Sequence, residues 1–200
     1  MSLLVTKKAL DFKATAIMGD NSINESFVLS EYLLKKKAVI FFYPLNFTFV
    51  CPSEIIAFDK KIEYFKKKNV IVIGISIDSH FSHLTYKNIN INEGGIGKIR
   101  YPLVSDITKE ISKKYGVLIN DSIALRGTFL IDENFIIRHQ VVNDLPLGRS
   151  VYEIIRVLEA LEFYQKNGDV CPANWDRGKE TIKPNLEGIK NYLSKNAHKI

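Results

Sequence analysis

The sequence contains two cysteines, which are its residues best suited to act as nucleophiles. Cys51 lies in the segment FVCPSE (residues 49–54), and Cys171 lies in a similar segment, VCPAN (residues 170–174). The nucleophilic form of cysteine is the thiolate, whereas a free thiol with a pKa of ~8.5 is mostly protonated at neutral pH. A cysteine that acts as a nucleophile therefore needs surroundings that favour the anion.

The residues around Cys51 can provide such surroundings. Pro52 suits the first turn of a helix, and a helix that begins next to the cysteine places unpaired N–H groups and the positive end of its dipole beside the sulfur. Glu54 in the same turn repels a thiolate, so we expect it to pair with an arginine from elsewhere in the chain. Thr48 and Pro44 add a hydroxyl and a rigid turn residue to the same loop. Together with Cys51, these two residues predict a reactive pocket. The alternative is that Cys51 is a chemically inert, buried cysteine.

Other types of cysteine or histidine site are less well supported. A thioredoxin-type dithiol needs C-x-x-C spacing, and Glu54 occupies the position of the second cysteine. Metal binding needs closely spaced ligands, and only His80 and His83 approach this spacing; on a helix they are at least as well explained as surface residues. His139, in a predicted strand, leaves a Cys/His hydrolase open as an alternative.

Composition indicates an ordinary globular protein. The chain has 200 residues, of which 46% are hydrophobic and 25% charged. Its longest apolar run contains two prolines and an asparagine, so we expect no membrane span. The first residues show no secretory or organelle address, which predicts a cytoplasmic location. In that reducing compartment the two cysteines are expected to be free thiols, metal ligands or a working redox pair.

The net charge of +6 raises the question of an anionic partner. The lysines fall in scattered runs at predicted helix ends and surfaces, without interleaved aromatic residues for base stacking. We therefore expect no nucleic-acid binding and keep a DNA-binding protein as a minor alternative.

The hydrophobic pattern predicts an α/β fold with one mixed sheet and helices on both faces. Buried strands are expected at residues 38–43 and 70–78, paired short strands within 10–30, a short strand at 102–106 and a hairpin over 127–142. Helices are expected over residues 53–69, 79–89, 107–117 and 150–168. Residues 1–167 form the predicted domain, and the polar residues 168–200 form an irregular arm that lies over a surface.

The string PLNFTFVCP (residues 44–52) resembles the P-x-x-x-T-x-x-C loop of peroxiredoxins. Further segments similar to the typical two-cysteine subgroup follow in the family's order across nearly the whole chain, namely DSHFSHL, GGIGKIRYPLVSD, LRGTFLID, VNDLPLGRSV and DVCPANW. The resemblance implies a thioredoxin-like fold, a mixed central sheet flanked by helices and an extended C-terminal arm. It also implies reduction of hydrogen peroxide and organic hydroperoxides without a metal, flavin or haem cofactor.

The resemblance assigns roles to the residues of the pocket. Cys51 corresponds to the peroxidatic nucleophile, which attacks the peroxide and becomes a sulfenic acid. Thr48 corresponds to the residue that holds the peroxide, and Pro44 to the residue that shields the sulfur.

Two arginines complete this set of residues. Arg126 corresponds to the residue that favours the thiolate and stabilises charge on the leaving oxygen. Glu54 is expected to orient Arg126, or Arg149 of the segment LPLGRS, through a bidentate ion pair. Without the resemblance, both arginines are equally well explained as solvated surface residues.

By the same resemblance, Cys171 is the resolving thiol, which forms a disulfide with Cys51 of a dimer partner. A thioredoxin or a similar dithiol donor then reduces this disulfide. The first turn of the Cys51 helix must open for the sulfurs to meet, because a disulfide needs Cα atoms within about 7 Å. Trp175 is expected to anchor the arm in the reduced state. The homodimers are expected to gather into a ring of five, with Phe47 and Phe49 near that contact.

Some positions depart from the subgroup's pattern. The C-terminal Tyr-Phe pair is Tyr192-Leu193 here, whereas the glycine loop is kept at residues 94–97, so the easy overoxidation of some members does not carry over directly. Tyr86 replaces a frequent tryptophan, which we interpret as a packing change. A redox-regulated chaperone without significant turnover is the alternative function.

Overall fold

The structure, a computed structural model, describes residues 3–199. The chain divides into two compact units, the first ending at Arg149 and the second beginning at Ser150.

The first unit contains all the strands of the described residues. These are β1 (Lys13–Ile17), β2 (Ile23–Val28), β3 (Lys37–Phe42), β4 (Val70–Ser76), β5 (Leu103–Ser105), β6 (Leu118–Ile119), β7 (Ile123–Ala124), β8 (Arg126–Ile131) and β9 (Ile137–Asn143). Its α-helices are α1 (Leu29–Leu33), α2 (Cys51–Lys60), α3 (Ile62–Lys67), α4 (His80–Asn88) and α5 (Glu110–Lys114). A short 3₁₀ helix covers Ile91–Glu93.

Seven of these strands form one mixed sheet in the order β2-β1-β5-β4-β3-β8-β9. The central strands β3, β4 and β5 are parallel, and the pairs β1–β2, β1–β5, β3–β8 and β8–β9 are antiparallel. Strands β6 and β7 form a separate two-stranded sheet. The predicted mixed sheet is therefore confirmed.

The central strand β3 shows how the sheet is covered on both faces. Successive residues of a strand point to opposite faces, and Phe41 and Phe42 are both fully buried. Phe41 stacks on Phe58 of α2, with ring centroids 4.4 Å apart. Phe42 packs on the other face against Tyr115, which caps α5, with ring centroids 5.2 Å apart. The buried run of β3 thus fixes α2, and with it Cys51, over one face of the sheet.

The second unit consists of helices and an intervening segment. It contains α6 (Val151–Asn167), α7 (Leu186–Asn196) and a 3₁₀ helix over Ala197–Lys199. The Ser150 side chain caps α6, and Gly168 ends it in the left-handed conformation (φ 77°), as the glycine stop predicted. The prediction that residues 168–200 are irregular is wrong from residue 186 onward, where α7 forms. The Asn185 side chain caps α7 by accepting from the Gly188 N–H (2.7 Å).

Other local predictions also need correction. The predicted single helix over 53–69 is divided into α2 and α3 at Lys61, whose N–H bonds to the Phe58 carbonyl oxygen in a tighter 3₁₀-type turn (3.1 Å). The five-residue helix α1 and the β6–β7 pair of two-residue strands were not predicted. The predicted helix over 107–117 is shorter than expected, since α5 covers Glu110–Lys114.

Candidate active site

The position of Cys51 follows from the β3–α2 connection. Strand β3 ends at Phe42, residues 43–50 form a loop, and Cys51 is the first residue of α2. The Cys51 side chain is fully buried, and Pro52 occupies the second helical position, where its missing N–H costs no hydrogen bond. The sulfur therefore lies at the positive end of a ten-residue helix, as the sequence predicted.

Thr48 is the nearest hydroxyl to the sulfur. Its Oγ1 lies 2.8 Å from Cys51 Sγ and 2.9 Å from the Leu45 carbonyl oxygen. A hydroxyl has one hydrogen, so Thr48 can donate to only one of these atoms at a time. When Cys51 is a thiol, Thr48 can donate to Leu45 and accept from the S–H; when Cys51 is a thiolate, the Thr48 hydroxyl can turn to donate to the sulfur.

Arg126 brings a cation to the same sulfur. It is the first residue of β8, and only 4% of its side chain is exposed. One terminal nitrogen, NH1, lies 3.4 Å from Cys51 Sγ and 2.7 Å from Glu54 Oε2. The Nε of Arg126 donates to the Leu145 carbonyl oxygen (2.7 Å), which fixes the plane of the guanidinium. The alternative of a solvated surface arginine is excluded for this residue.

Glu54 joins both predicted arginines. Its second oxygen, Oε1, accepts hydrogen bonds from the backbone N–H and the Nε of Arg149, each 2.9 Å long. Arg149 is also buried, with 2% of its side chain exposed. Its terminal nitrogens donate to the carbonyl oxygens of Gly127 and Phe42 and to the Thr128 hydroxyl. Glu54 therefore pairs with the two arginines together, rather than with one or the other.

The electrostatic balance of this cluster favours an anion. Burial lowers the pKa of Arg149, and the neighbouring Glu54 carboxylate raises it, so the pair keeps the guanidinium charged. The two guanidinium groups and one carboxylate carry a net charge of +1. A charge buried without a counter-ion is costly, and a thiolate at Cys51 would bring the sum to zero.

Pro44 lies in the same loop and is buried. The structure thus brings Thr48, Cys51, Glu54 and both arginines into contact and places Pro44 in the loop that leads to them.

Cys171 belongs to the second unit. It follows Val170, which forms a β-bridge with Ile182, and its thiol lies 3.7 Å from the Ala160 carbonyl oxygen. Cys171 is a free, half-buried thiol. Burial raises its pKa, and this effect exceeds the opposite effect of Arg156.

Trp175 is the most buried side chain of residues 171–180. Only 1% of it is exposed, its ring packs 5.4 Å from that of Phe163, and its Nε1 donates to the Lys179 carbonyl oxygen (3.1 Å). These contacts hold residues 175–179 in a compact turn on α6.

The histidines do not form a metal site in the part of the chain that the structure describes. The interpretation of His83 as a surface residue is wrong: it is fully buried on the inner face of α4, and burial lowers its pKa to about 4. His139 lies in β9 opposite Leu130 of β8. Cys51 forms its hydrogen bonds with Thr48 and Arg126, and none to a histidine is found within residues 3–199.

Sequence reasoning missed one group of residues at this site. Asn46 and His83 form a buried hydrogen-bond network beneath the Cys51 loop. The asparagine within PLNFT was a visible signal, because an amide between two apolar residues of a loop needs buried partners.

No helix among residues 3–199 is both long and apolar enough to cross a membrane.

A mixed sheet flanked by helices, with a buried cysteine at a helix N-terminus held by a threonine and an arginine, is the arrangement of a thiol-based enzyme site. The AhpC/TSA family model matches residues 5–140, and the model of the C-terminal domain of 1-Cys peroxiredoxin matches residues 160–195. The chain therefore belongs to the AhpC/TSA family of peroxiredoxins.

Individual relatives cover nearly the whole chain. Alkyl hydroperoxide reductase C of Helicobacter pylori is 50% identical over 99% of this chain and 100% of the relative. The mitochondrial thioredoxin-dependent peroxide reductase of Drosophila melanogaster is 50% identical over 96% of this chain and 82% of the relative. The crystal structure of reduced Plasmodium vivax 2-Cys peroxiredoxin matches with a TM-score of 0.93 and 51% identity, covering 96% of this chain and 100% of that one. The predicted thioredoxin-like peroxiredoxin fold is thereby confirmed.

Proposed function

We propose that the chain reduces hydrogen peroxide and organic hydroperoxides through Cys51 and Cys171, with a thioredoxin-like dithiol as the electron donor. The observation that carries this proposal is the pair of donors on the buried sulfur, Thr48 at 2.8 Å and Arg126 at 3.4 Å. Relatives named alkyl hydroperoxide reductase and thioredoxin-dependent peroxide reductase support the substrate and the donor.

In the first step the Cys51 thiolate attacks one oxygen of the peroxide. An S–O bond forms and the O–O bond breaks, so the sulfur is oxidised to a sulfenic acid and the peroxide is reduced to water or an alcohol once the leaving oxygen gains a proton. Negative charge moves from the sulfur to the leaving oxygen during this step. The Arg126 guanidinium and the Thr48 hydroxyl can stay bonded to the reacting atoms throughout, which is stabilisation by preorganised donors.

The other predicted residues act on these donors. Glu54 fixes Arg126, and Arg149 fixes Glu54, so the orientation of the reacting guanidinium depends on both. Pro44, buried in the loop, shields the sulfur.

In the second step Cys171 of the dimer partner attacks the Cys51 sulfenic acid. The S–S bond forms, the S–O bond breaks, and the hydroxyl leaves as water after protonation. A thioredoxin-like dithiol reduces the disulfide and is itself oxidised. We propose that residues 168–200 act as the arm that carries Cys171 and that the dimers form a ring of five, for which the exposed Phe47 and Phe49 are candidate contacts (52% and 100% exposed).

Two experiments test this proposal. Purified protein with a thioredoxin system is expected to consume peroxide, and Cys51→Ser is expected to abolish turnover; a variant that still turns over contradicts the assignment. After peroxide treatment, non-reducing gels are expected to show a covalent dimer that Cys171→Ser cannot form, whereas a disulfide product of monomer size contradicts the intersubunit bond.

The remaining expectations are also proposals. We infer that the protein acts in the cytoplasm and binds no nucleic acid, which cell fractionation and a gel shift at physiological salt would test. The relatives' names do not favour a chaperone without turnover.

A further inference from the structure

The loop that carries Thr48 is under conformational strain. Phe47 has a φ of 56°, in the left-handed region that a bulky side chain rarely adopts. Its ring packs on Tyr86 of α4, with centroids 4.5 Å apart, but half of the Phe47 side chain remains exposed. A loop that keeps this conformation needs further contacts to hold it.

Asn46, the residue before Phe47, provides most of these contacts. Its backbone N–H donates to Asp78 Oδ2 (2.9 Å). Its side-chain nitrogen donates to Ser82 Oγ (2.9 Å) and to His83 Nδ1 (3.1 Å), and its side-chain oxygen accepts from the Tyr43 hydroxyl (2.9 Å). Only 5% of Asn46 is exposed, so both hydrogens of the amide and its oxygen are satisfied by protein atoms.

The tautomer of His83 makes this arrangement specific. His83 Nε2 lies 3.2 Å from the Val104 carbonyl oxygen, which can only accept, so the ring proton is on Nε2. Since burial holds the pKa of His83 at about 4, the ring is neutral at physiological pH and Nδ1 must accept. The Tyr43 hydroxyl also lies 3.3 Å from Nδ1, but its one hydrogen is donated to Asn46 Oδ1 (2.9 Å), so the Asn46 amide is the donor that Nδ1 requires.

Asp78, which accepts from the Asn46 backbone N–H, is itself bound to the sheet. It follows β4 and accepts from Ser76 Oγ (2.7 Å), while its backbone oxygen accepts from Ser105 Oγ of β5 (2.7 Å). The Cys51 loop is therefore tied through Asn46 to the ends of two central strands.

The later turns of α2 are held independently. The Tyr101 hydroxyl donates to the Ile55 carbonyl oxygen (2.7 Å), and Arg100 binds the side chain and the carbonyl oxygen of Asp59. Residues 47–54 contain the strained Phe47 together with Thr48, Cys51 and Glu54. They lie between Asn46 on one side and the anchored Ile55 and Asp59 on the other.

We propose that Asn46 is a positioning residue: through neutral His83 and Asp78 it holds the Cys51 loop in the peroxide-reactive arrangement and sets how readily the first turn of α2 opens for disulfide formation. This inference rests on the proposed function of Cys51 and Cys171. It predicts that loosening the contact has opposite effects on the two steps. The peroxide step needs Thr48 in place, whereas the disulfide step needs residues 47–54 to move.

The test is a single-turnover experiment with Asn46→Ala. Reduced protein is mixed with hydrogen peroxide, quenched and alkylated, and mass spectrometry gives the rates of sulfenic acid and disulfide formation. Loss of the side-chain hydrogen bonds is expected to lower the first rate and to raise the second, so that their ratio changes by about 10-fold. Less sulfinic acid per turnover is expected at high peroxide, because a faster disulfide step competes with overoxidation.

Asn46→Asp provides a second, nearly isosteric variant. A carboxylate cannot donate to Nδ1, but a negative charge this close to the ring raises the pKa of His83 in the variant. The contact therefore returns when His83 takes up a proton. Besides residue 46, the groups acting on His83 are Asp78 and the Val104 carbonyl, which favour that proton, and His80 and Lys87, which oppose it. The Tyr43 hydroxyl also lies 3.3 Å from Nδ1. The ratio of the variant's disulfide rate to the wild-type rate is expected to exceed one at pH 8 and to fall towards one as the pH is lowered.

The control for a general loss of stability is Asp132→Ala. Asp132 is fully buried and accepts from the Asn134 and Ile136 N–H groups and from Arg138, in the β8–β9 turn at the end of β8 opposite Arg126. Its loss is expected to lower the unfolding temperature without changing the ratio of the two rates.

The proposal is wrong if Asn46→Ala moves both rates in the same direction or leaves their ratio within two-fold, or if the Asn46→Asp ratio does not change with pH. A wild-type protein in which Cys51 does not react with peroxide is a different result, and it contradicts the proposed function instead.

Discussion

Glu54→Gln is the substitution that most directly perturbs the charge balance around Cys51. The Glu54 carboxylate accepts from Arg126 on one oxygen and from the backbone N–H and side chain of Arg149 on the other. A glutamine can replace only one of these oxygens, so its NH₂ group would face the Arg126 or the Arg149 donors. The variant therefore loses a hydrogen bond and leaves two buried guanidinium groups with the single negative charge of the Cys51 thiolate.

The expected loss of stability follows from the burial of this cluster. All three side chains are at most 4% exposed, and breaking a buried ion pair costs roughly 3–5 kcal/mol. Taking about 3 kcal/mol, and about 2–4 °C per kcal/mol for a chain of this size, the unfolding temperature should fall by about 6–12 °C. Because Arg126 keeps its bond to Leu145 but loses the ion pair with Glu54 that also orients it, the rate of the peroxide step should fall by about 10-fold or more.

The matched control is Glu63→Gln, which removes an exposed carboxylate (62% exposed) that pairs with Arg100 and Lys66. Exposed ion pairs contribute about 0–1 kcal/mol, so this control should change stability little. Thermal and urea unfolding of the reduced proteins measure both variants. If Glu54→Gln costs less than about 1 kcal/mol, or no more than the control, the assigned role of the buried charges is wrong.

Three further predictions concern single residues. Thr48→Val should slow the peroxide step by roughly 100-fold, while Thr48→Ser should keep most of the rate, because the hydroxyl is the required group; equal rates for both variants in stopped-flow measurements would exclude that role. Since burial raises the pKa of Cys171, its thiolate fraction at neutral pH is below that of a free thiol, and the disulfide step should accelerate as the pH rises from 6.5 towards the folded-state pKa; a flat profile in rapid-quench experiments would contradict this. Trp175→Phe removes the hydrogen bond to Lys179 and should cost about 1 kcal/mol and speed proteolysis of the adjacent turn; an unchanged cleavage rate would show that Trp175 does not hold this turn.

The longer elements were predictable because their patterns are set by burial. The continuous apolar runs of β3 and β4 are buried almost throughout, and the 17-residue α6 is bounded by a serine cap and a glycine stop that are both visible in the sequence. The helix α7 was missed although Leu186, Ile189 and Tyr192 have helical spacing, because Gly188 and many polar residues weaken the signal of an isolated segment.

The site was predictable to the extent that it depends on local sequence. Pro44, Thr48, Cys51 and Glu54 lie on one short segment, whose order gives the loop and the first turn of α2. The expectation that Glu54 needs a cation came from the local sequence, but the partners Arg126 and Arg149 follow from the fold and were identified by resemblance.

The contact between Asn46 and His83 was not predictable. The two residues are 37 positions apart, and they meet because β3 and β4 are adjacent parallel strands that end at the same edge of the sheet. A helical histidine next to polar residues reads as exposed unless the packing of its helix is known.

Trapping the sulfenic acid shows directly whether Cys51 is the thiol that reacts first with peroxide. Reduced Cys171→Ser protein should be treated with one equivalent of hydrogen peroxide in the presence of a sulfenic-acid-specific label and digested for mass spectrometry. The label is expected on Cys51, and the Cys51→Ser protein is expected to acquire no label at Cys171 under the same conditions. An unlabelled Cys51, or rapid labelling of Cys171 in the absence of Cys51, would contradict the assignment of Cys51 as the first thiol to react.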